Sequence, residues 1–567
     1  MRRSLLLFAA PLALLGGCAT DAEAPKPAST AAASSPPAES AYGMFLAGQG
    51  ALNDGKSQDA TRFFSAARSQ TGADGVISEK AFSAALLSGD ITRAATLAPS
   101  GEGASEAARR LAPLVRGVEA MAQDKAKDAV AELASPAIAF PHKSAAALLA
   151  PWAAAQAGDT EGALVKPQVR GDKLVDYFGA LGRGLLLERA KRYDEAETEL
   201  KLVATNETRS EIAILTYGAF LERRGRRLEA VALYQAALED GPSAQVEAAK
   251  ARASNGKPAP VAPTVRQGAA QALLAPTASM IAAKQNQIAL AYLRLLLRLD
   301  PSRDDAWVMV GDIMQAAGDV DAARTAYGHP KKGSSEYVEA QGKLAWTYEQ
   351  SDDHAAALKL ARQTAASGDP DARLTLADLL RASENYAESA ELMGQLIKAS
   401  PAPDWRLYFG RAVSLEKLGR WQEAEADLQS ALKLRPNEPD LLNYLGYSWI
   451  DRGVHLKEAM AMVEKAVAAN PQSGAMVDSL GWAHYRLGDY AQAVDKLEQA
   501  VELEAGDPEV NDHLGDAYWR VGRRDEALFQ WRRVLTLKPD DKVRARVEAK
   551  LASPLGPDGP APRIAGE

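Results

Sequence analysis

Few stretches of this 567-residue chain have residue types and spacings that could perform chemistry. The run from Gly50 to Ser57 has the spacing Gly-x4-Gly-Lys-Ser, in which backbone N–H groups and a lysine can bind a nucleotide phosphate. Such a loop needs a buried strand before it and a helix after it, and no strand-like segment precedes Gly50. The run falls on the turn of a predicted helical hairpin instead, so we do not expect it to bind nucleotide.

Ser414 and Lys417 have the Ser-x-x-Lys spacing of a serine nucleophile in penicillin-binding enzymes. Those enzymes carry two further motifs after this serine. Here there is no Lys-Thr-Gly, and the run Ser383–Asn385 comes before Ser414. We therefore predict that Ser414 and Lys417 are polar positions on a repeat helix.

The remaining titratable residues select no catalytic or metal site. Carboxylates are abundant on helices of alternating charge, which are usually solvated faces, so no glycosidase pair can be chosen. No two histidines form a close pair suited to a metal. The six are His142, His329, His354, His455, His484 and His513. We predict no catalytic residue, no metal and no cofactor, and therefore no enzyme activity.

The elements that position these residues follow a repeat, which is clearest between Gly474 and Pro539. Leu480-Gly481-x-x-His484 is followed by Ala493, Leu497 and Ala500, and the order returns 34 residues later as Leu514-Gly515-x-x-Tyr518, Ala527, Trp531, Val534 and Pro539. Apolar and small residues recur at spacings of three and four on two segments joined by a turn, which predicts a helical hairpin.

This order resembles the tetratricopeptide repeat, most closely at Gly515, Tyr518, Ala527, Trp531 and Pro539. The resemblance implies an all-α superhelical solenoid of about fourteen helical hairpins, with the early repeats degenerate. The small residue after each turn is predicted at Ala60, Ala94, Ala129, Ala163, Ala196, Ala230, Ala289, Ala323, Ala357, Ser389, Ala424, Ala459, Ala493 and Ala527. One extra residue in the turn between Gly453 and Lys457 shifts Ala459 by one.

One break in the repeat suggests a division of the chain into two arrays. The interval from Ala230 to Ala289 is too long for one repeat and contains helix-breaking prolines, so it is predicted to hold a joint between two arrays. The predicted segments are a signal peptide at 1–17, a lipidated cysteine and linker at 18–41, a degenerate array at 42–250, the joint at 251–276, a second array at 277–539, a capping helix at 540–552 and a disordered tail at 553–567.

The chain begins with features of an exported protein. Arg2 and Arg3 precede an apolar run that is too short to span a bilayer, which predicts an export signal. The run ends in Leu15-Gly16-Gly17-Cys18, which resembles the bacterial lipoprotein box, and Cys18 is the only cysteine in the chain. Lipidation at Cys18 would tether the protein to a membrane. By the same resemblance Ala19 favours the outer membrane, with the protein facing the periplasm.

Composition agrees with stacked helices and narrows the range of partners. About 47% of the residues are apolar and only 6% are aromatic, which suits closely packed helices. A formal net charge of −8 argues against a nucleic-acid partner. The alanine-, proline- and serine-rich segment after Cys18 is predicted to be an extended linker.

The resemblance to the tetratricopeptide repeat also implies that the first helix of each hairpin lines a concave groove, and that this groove holds other proteins. In the last three repeats the groove positions combine aromatic residues with arginine, a composition typical of binding hot spots, and with carboxylates that could bind peptide backbone. The predicted groove residues are Asn443, Tyr447, Asp478, Trp482, Tyr485, Arg486, Asp512, Asp516, Trp519 and Arg520. The alternative is that Trp482 and Trp519 pack between adjacent repeats.

The lipoprotein box, the linker and the repeats together resemble a family of Gram-negative outer-membrane lipoproteins. The residues that carry the resemblance are Asn443–Tyr447, Asp478–Trp482 and His513–Trp519. It implies a scaffold that brings a carboxyl-terminal processing protease together with substrates such as peptidoglycan hydrolases. The alternatives are an assembly or export factor for an outer-membrane pore or polysaccharide, and a cell-wall turnover enzyme. Self-association is also possible under each of these hypotheses.

Overall fold

The structure, a computed structural model, describes residues 40–54, 56–71, 75–99, 103–206 and 210–553. Within these ranges it contains α-helices and turns and no β-strand. The described residues fall into two compact units, 40–360 and 361–553. The predicted signal peptide, Cys18, the linker up to residue 39 and the tail from residue 554 lie outside the described residues.

Twenty helices lie wholly or partly in the first unit, and the division falls within the last of them. They are α1 (Ala41–Asn53), α2 (Ser57–Thr71), α3 (Gly75–Ser88), α4 (Ile91–Leu97), α5 (Glu106–Ala122), α6 (Ala126–Leu133), α7 (Lys143–Gln156), α8 (Thr160–Ala163), α9 (Lys173–Arg189), α10 (Tyr193–Thr205), α11 (Glu211–Arg223), α12 (Arg227–Asp240), α13 (Ala244–Ser254), α14 (Val265–Ala272), α15 (Leu274–Ala282), α16 (Asn286–Leu299), α17 (Asp304–Ala316), α18 (Val320–Tyr327), α19 (Tyr337–Glu349) and α20 (His354–Ala365).

The second unit continues with eleven helices. They are α21 (Pro370–Ala382), α22 (Tyr386–Ala399), α23 (Trp405–Lys417), α24 (Trp421–Leu434), α25 (Pro439–Arg452), α26 (Leu456–Ala469), α27 (Gly474–Leu487), α28 (Tyr490–Leu503), α29 (Pro508–Arg520), α30 (Arg524–Thr536) and α31 (Asp541–Ala552).

The structure confirms the predicted repeat of helical hairpins. Consecutive helices pack as antiparallel pairs, such as α1 with α2 and α29 with α30. All fourteen small residues predicted to follow a turn lie on the second helix of a pair and are buried, with at most 4% of their surface exposed. These positions are where two helices approach most closely, so a larger side chain would not fit. The fold is therefore an all-α tetratricopeptide-type solenoid.

A glycine on the first helix and a large residue on the second helix hold most of these hairpins together. A Cβ atom on Gly515 would lie 2.5 Å from Nε1 of Trp531, sixteen residues later. The same offset joins Gly48 to Phe64, Gly117 to Leu133, Gly184 to Leu200, Gly218 to Tyr234, Gly311 to Tyr327 and Gly481 to Leu497. The offset is seventeen residues between Gly446 and Val463, because the turn between their two helices contains one extra residue. Two residues of that turn, Gly453 and His455, have positive φ.

Helix α16 lies in the interior of the first unit, although it is the second helix of its pair. Residues around its whole circumference are buried, so it is packed on every side. Arg294 Nε donates to Leu87 O at the end of α3 (3.0 Å), Arg298 Nε lies 2.7 Å from a carboxylate oxygen of Glu119 on α5, and the Tyr292 hydroxyl lies 2.9 Å from His142 Nδ1. The helix therefore contacts the first helices of several hairpins that lie far away in sequence.

Helix α14 fills the next part of the same interior. A Cβ atom on Gly268 would lie 2.1 Å from the ring of Trp152 on α7, and α14 packs on both α7 and α9. Residues 251–276, predicted as a joint, thus lie inside the first unit and include all of α14. The predicted domain boundaries stay predictions.

None of the described helices is both long enough and apolar enough to cross a bilayer.

Candidate functional site

The candidate site is the inner face of the second unit near its carboxy-terminal end. Here the first helices of successive pairs, α25, α27 and α29, pack on one another, whereas the second helices mainly contact their own partners and the next first helix. The array therefore curves with the first helices inside. The ring centroids of Tyr447 and His513, two hairpins apart, are only 6.5 Å apart. All the predicted groove residues lie on these three helices.

Four aromatic rings form a cluster on this inner face. The Trp482 ring is stacked between Tyr485, with centroids 4.6 Å apart, and His513, with centroids 4.0 Å apart. Tyr447, two hairpins before His513, also approaches the His513 ring. Trp482 thus packs against the next repeat and also lies on the inner face, so the two alternatives for this residue are not exclusive.

The predicted groove carboxylates are neutralised within the chain. Asp478 is buried, and both of its carboxylate oxygens lie 3.0 Å from His513 Nδ1. Asp512 is fully buried between Lys550 Nζ at 2.7 Å and Arg546 Nε at 2.8 Å, both from α31. These carboxylates are already paired within the chain, and their predicted role in binding a peptide backbone stays a prediction.

Asp516 belongs to the same charged cluster. Lys550 Nζ lies 2.7 Å from one of its oxygens, and Trp531 Nε1 donates to it at 3.1 Å. Burial raises the pKa of the Asp516 carboxyl, and Lys550 acts in the opposite direction. Helix α31 covers the last repeat and also supplies two cations, Arg546 and Lys550, that neutralise the buried carboxylates of α29.

Burial and charge also shift the ionisation of the aromatic cluster. Burial alone would lower the pKa of His513, but the Asp478 carboxylate, supported by Glu509 and Asp512, raises it to about 9. Burial raises the pKa of Tyr447, and the surrounding carboxylates raise it further. His513 is therefore a cation and Tyr447 a neutral hydroxyl at neutral pH.

The remaining predicted residues make intramolecular contacts at the edges of the cluster. Arg520 Nε donates to the Tyr485 hydroxyl at 3.2 Å. Arg486 Nη1 donates to the Asp451 carbonyl at 2.7 Å. Trp519 lies beside Trp531, with centroids 5.4 Å apart, and its ring is also covered by the Arg524 guanidinium. All three side chains are only partly buried. Their role in binding stays a prediction.

Three polar atoms on these inner helices are buried without a hydrogen-bond partner. They are Oδ1 of Asn443 on α25, Nε1 of Trp482 on α27 and Oδ1 of Asn511 on α29. Asn443 lies one helical turn before Tyr447, on the same face of α25. An unpaired buried donor or acceptor costs about 1–3 kcal/mol, so such atoms in a native protein call for an explanation.

Sequence reasoning missed three important residues of this cluster: His513, Arg546 and Lys550. The signal was present in the repeat period, because Arg546 follows Asp512, and Lys550 follows Asp516, by 34 residues. His513 follows Asp478 by 35 residues. Residues one repeat apart occupy neighbouring positions on adjacent first helices, so opposite charges at this spacing predict ion pairs between repeats.

The stretches with possible catalytic spacing are structural elements of hairpins. Gly50 lies within α1 and Ser57 begins α2, so the phosphate-loop spacing joins two helices. The Ser414 hydroxyl is fully buried and donates to Gly410 O at 3.1 Å, while Lys417 is exposed. Among the described residues no group of histidine, cysteine or carboxylate side chains is arranged to hold a metal ion.

Comparison with known proteins agrees with this fold in the second unit. The tetratricopeptide repeat family matches residues 374–439, 409–474, 452–509 and 479–542. A TPR repeat-containing protein of Pseudomonas aeruginosa is 32% identical over 156 residues, or 27% of this chain. The match spans only 26% of that protein's length.

Two solved structures have related helical arrangements at low similarity. The APC/C hetero-tetramer Cut9-Hcn1 is 14% identical, covering 90% of this chain and 95% of that chain at a TM-score of 0.39. MamA AMB-1 is 22% identical, covering 30% of this chain and 95% of that chain at a TM-score of 0.26. Neither similarity bears on function. The match at residues 374–542 and the hairpin packing there identify this part of the chain as tetratricopeptide repeats, a fold typical of scaffolds that bind other proteins.

Proposed function

We propose that this protein is a scaffold tethered by a lipid on Cys18 to the outer membrane, where it faces the periplasm and binds other proteins on the inner face of its second unit. The observation that supports the binding site is that two buried atoms of this face, Asn443 Oδ1 and Trp482 Nε1, have no hydrogen-bond partner, whereas the anchor rests on the sequence Leu15–Cys18. One is an acceptor and the other a donor, which are the two groups needed to bind the N–H and C=O of a peptide backbone. Trp482 belongs to the aromatic cluster, and Asn443 lies one helical turn before Tyr447 of the same cluster.

The inner face of the first unit is a less suitable binding site, because other helices of the chain already fill it. Its first helices α3, α5, α7 and α9 face α14 and α16, which fill the space between them. Arg298 of α16 is held by Glu119, which is 5% exposed, so this contact is part of the core. A partner would have to displace two packed helices to reach that face. In the second unit no additional helix fills the inner face of α25 and α27, so only side chains would have to move to expose Asn443 Oδ1 and Trp482 Nε1.

The partner we propose is a carboxyl-terminal processing protease, together with substrates such as peptidoglycan hydrolases. A scaffold that holds both raises the effective concentration of protease at its substrate without any catalytic group of its own. The alternative partner is a pore or polysaccharide export system of the outer membrane.

Capture from envelope extracts tests both the partner and the site. The full chain is compared with an Asn443→Ala/Trp482→Phe variant and with a control, Trp405→Phe, which lies outside the aromatic cluster on α23. We expect the wild type and the control to retain a serine protease and a cell-wall hydrolase, and the double variant to lose them. Equal recovery by all three would exclude the inner face as the site. Recovery of a pore or a polysaccharide synthase would favour the alternative.

The anchor is tested separately by membrane fractionation. We expect the full chain to sediment with outer-membrane vesicles and a Cys18→Ser variant to be released. Mass spectrometry of the mature amino terminus should then show acyl chains on Cys18. A wild-type protein that is released with the soluble periplasm would contradict the proposed anchor without affecting the proposed groove.

A further inference from the structure

The first and last helices of the chain, α1 and α31, differ in the kind of surface that they leave exposed. At the carboxy-terminal end, α31 turns Val543 and Val547 inward and leaves a charged outer face that includes Lys542, Arg544 and Glu548. Such a polar outer face is what the end of a solenoid needs in water. At the amino-terminal end, α1 packs against α2, and no other described helix makes more than a marginal contact with it.

The outer face of α1 is uncharged, includes one polar residue, Gln49, and has no more than marginal contact with any described helix other than α2. None of its thirteen residues is charged. Tyr42 is 71% exposed, Leu46 is 50% exposed and Leu52 is 38% exposed, and Phe45 lies between them on the same side of the helix, half-buried against Phe64. Single exposed apolar residues are normal on a protein surface, but several on one uncharged helix face indicate a surface that contacts another molecule.

The size of this face argues against a second copy as its occupant. A thirteen-residue helix is about 20 Å long and about 10 Å wide, so its footprint is on the order of 200 Å². A stable protein interface needs about 800 Å² from each partner. Stacking on the other end of a second molecule is also disfavoured, because α31 presents charged residues there. A face this small binds usefully only when something else holds it close to its target.

The position of α1 in the chain provides that second attachment. Its N-cap, Ser40, follows Cys18 by 22 residues, so a lipid on Cys18 keeps α1 close to the bilayer and raises its effective concentration there. Tyrosine beside leucine suits the boundary between headgroups and acyl chains. We propose that α1 lies on the membrane through Tyr42, Leu46 and Leu52, so that the array meets the bilayer by its amino-terminal end. This contact rests on the proposed lipid anchor.

The test uses the full, lipidated chain. Because Cys18 is the only native cysteine and is blocked when acylated, a Leu46→Cys variant has one free thiol, which is labelled with a nitroxide. The matched control is Arg544→Cys, on the exposed face of α31. The labelled proteins are placed on vesicles of phosphatidylethanolamine and phosphatidylglycerol. We expect the label at position 46 to collide more with oxygen and less with a water-soluble nickel reagent on the vesicles, and the label at 544 to be unchanged.

Flotation of the protein with the vesicles distinguishes a failure of the lipid anchor from a failure of the membrane contact of α1. If the protein floats but the label at position 46 still collides with nickel as it does in solution, the anchor stands and the membrane contact of α1 is overturned. If the protein does not float, both are overturned. A label at position 46 that is already immobilised without vesicles would show that a second copy covers this face, and would also overturn the proposal.

Discussion

His513 Nδ1 lies 3.0 Å from each carboxylate oxygen of Asp478, across the interface between two consecutive hairpins. Both side chains are buried, and the imidazole is also stacked on Trp482. The contact therefore couples the charge of the candidate groove to the packing of the repeats.

We predict that the second unit loses stability as the pH rises through about 9. His513 has a pKa near 6.5 when unfolded and about 9 when folded, so the protonated pair stabilises the fold fully below pH 6.5 and ceases to do so above pH 9. The difference corresponds to about 3 kcal/mol. Urea denaturation followed by tryptophan fluorescence at pH 6, 8 and 10 measures it. A His513→Gln variant should lack this dependence, whereas His484→Gln, on the same inner helix layer, should keep it.

The charged cluster under α31 gives a second prediction. Lys550→Met leaves the carboxylates of Asp512 and Asp516 buried without their shared cation, which should destabilise the second unit by about 3–5 kcal/mol. Lys542→Met, on the exposed face of the same helix, should change the free energy of unfolding by less than about 0.5 kcal/mol. Adding Asp512→Asn and Asp516→Asn to Lys550→Met should restore much of the loss. If the triple variant is no more stable than the single one, packing and not charge explains the effect.

Much of the fold was predictable because the repeat is local. A small residue after each turn is required by close helix packing, so Ala60 could be placed as well as Ala527. The filling of the first unit by α14 and α16 was not predictable from this period, because it joins residues such as Arg298 and Glu119 that are far apart in sequence. A signal did exist, since Ala289–Leu299 of α16 is apolar except for Arg294 and Arg298, and a helix that is apolar on most of its sides is usually buried.

The positions of the candidate groove residues could be predicted from the sequence, but whether their carboxylates are free or paired could not. The chosen residues do lie on the inner helices, because the first helix of each repeat could be identified from the pattern. Whether a carboxylate there is free depends on the next repeat, and Asp512 is neutralised by residues of a helix that the pattern treats only as a cap. Comparing charges at the repeat spacing would have revealed this pairing.

The hairpin glycines give a third prediction. Gly515→Ala places a methyl group about 2.5 Å from Trp531 Nε1, and Trp531 is fully buried and held by Asp516, so it has no room to move. We expect a destabilisation of about 1–3 kcal/mol. In Gly50→Ala nothing lies within 4 Å of the new methyl group, so α1 should gain about 0.5–1 kcal/mol. Thermal denaturation of both variants measures the contrast, and equal effects would contradict the close-approach role of Gly515.

The unpaired indole nitrogen gives a fourth prediction. Trp482→Phe keeps an aromatic ring between Tyr485 and His513 but removes the N–H that has no partner in this structure. We expect the free energy of unfolding to change little, while affinity for the captured partner falls about tenfold, the effect of one hydrogen bond. Isothermal titration calorimetry with that partner measures the affinity. Unchanged affinity would show that Trp482 contributes only packing.

The interior helix of the first unit gives a fifth prediction. Arg298→Ala removes the cation that α16 places against the buried carboxylate of Glu119, which then keeps only its hydrogen bonds from Thr92 and Gln123. We expect the first unit to lose about 1–3 kcal/mol. Arg93→Ala, at an exposed position of α4, should be nearly neutral.

Acid should reveal the same contact between Arg298 and Glu119. Burial would raise the pKa of Glu119, but Arg298, Thr92 and Gln123 together lower it, so the contact stabilises the fold above the unfolded pKa of about 4.5 and is lost as the pH falls through the lower folded value. The wild type should therefore lose more stability than Arg298→Ala between pH 6 and pH 3. Hydrogen exchange of amides in α5 and α16 should report this loss. If those amides exchange equally in both proteins across this range, α16 is held by apolar packing alone, and its ion pair does not close the inner face of the first unit.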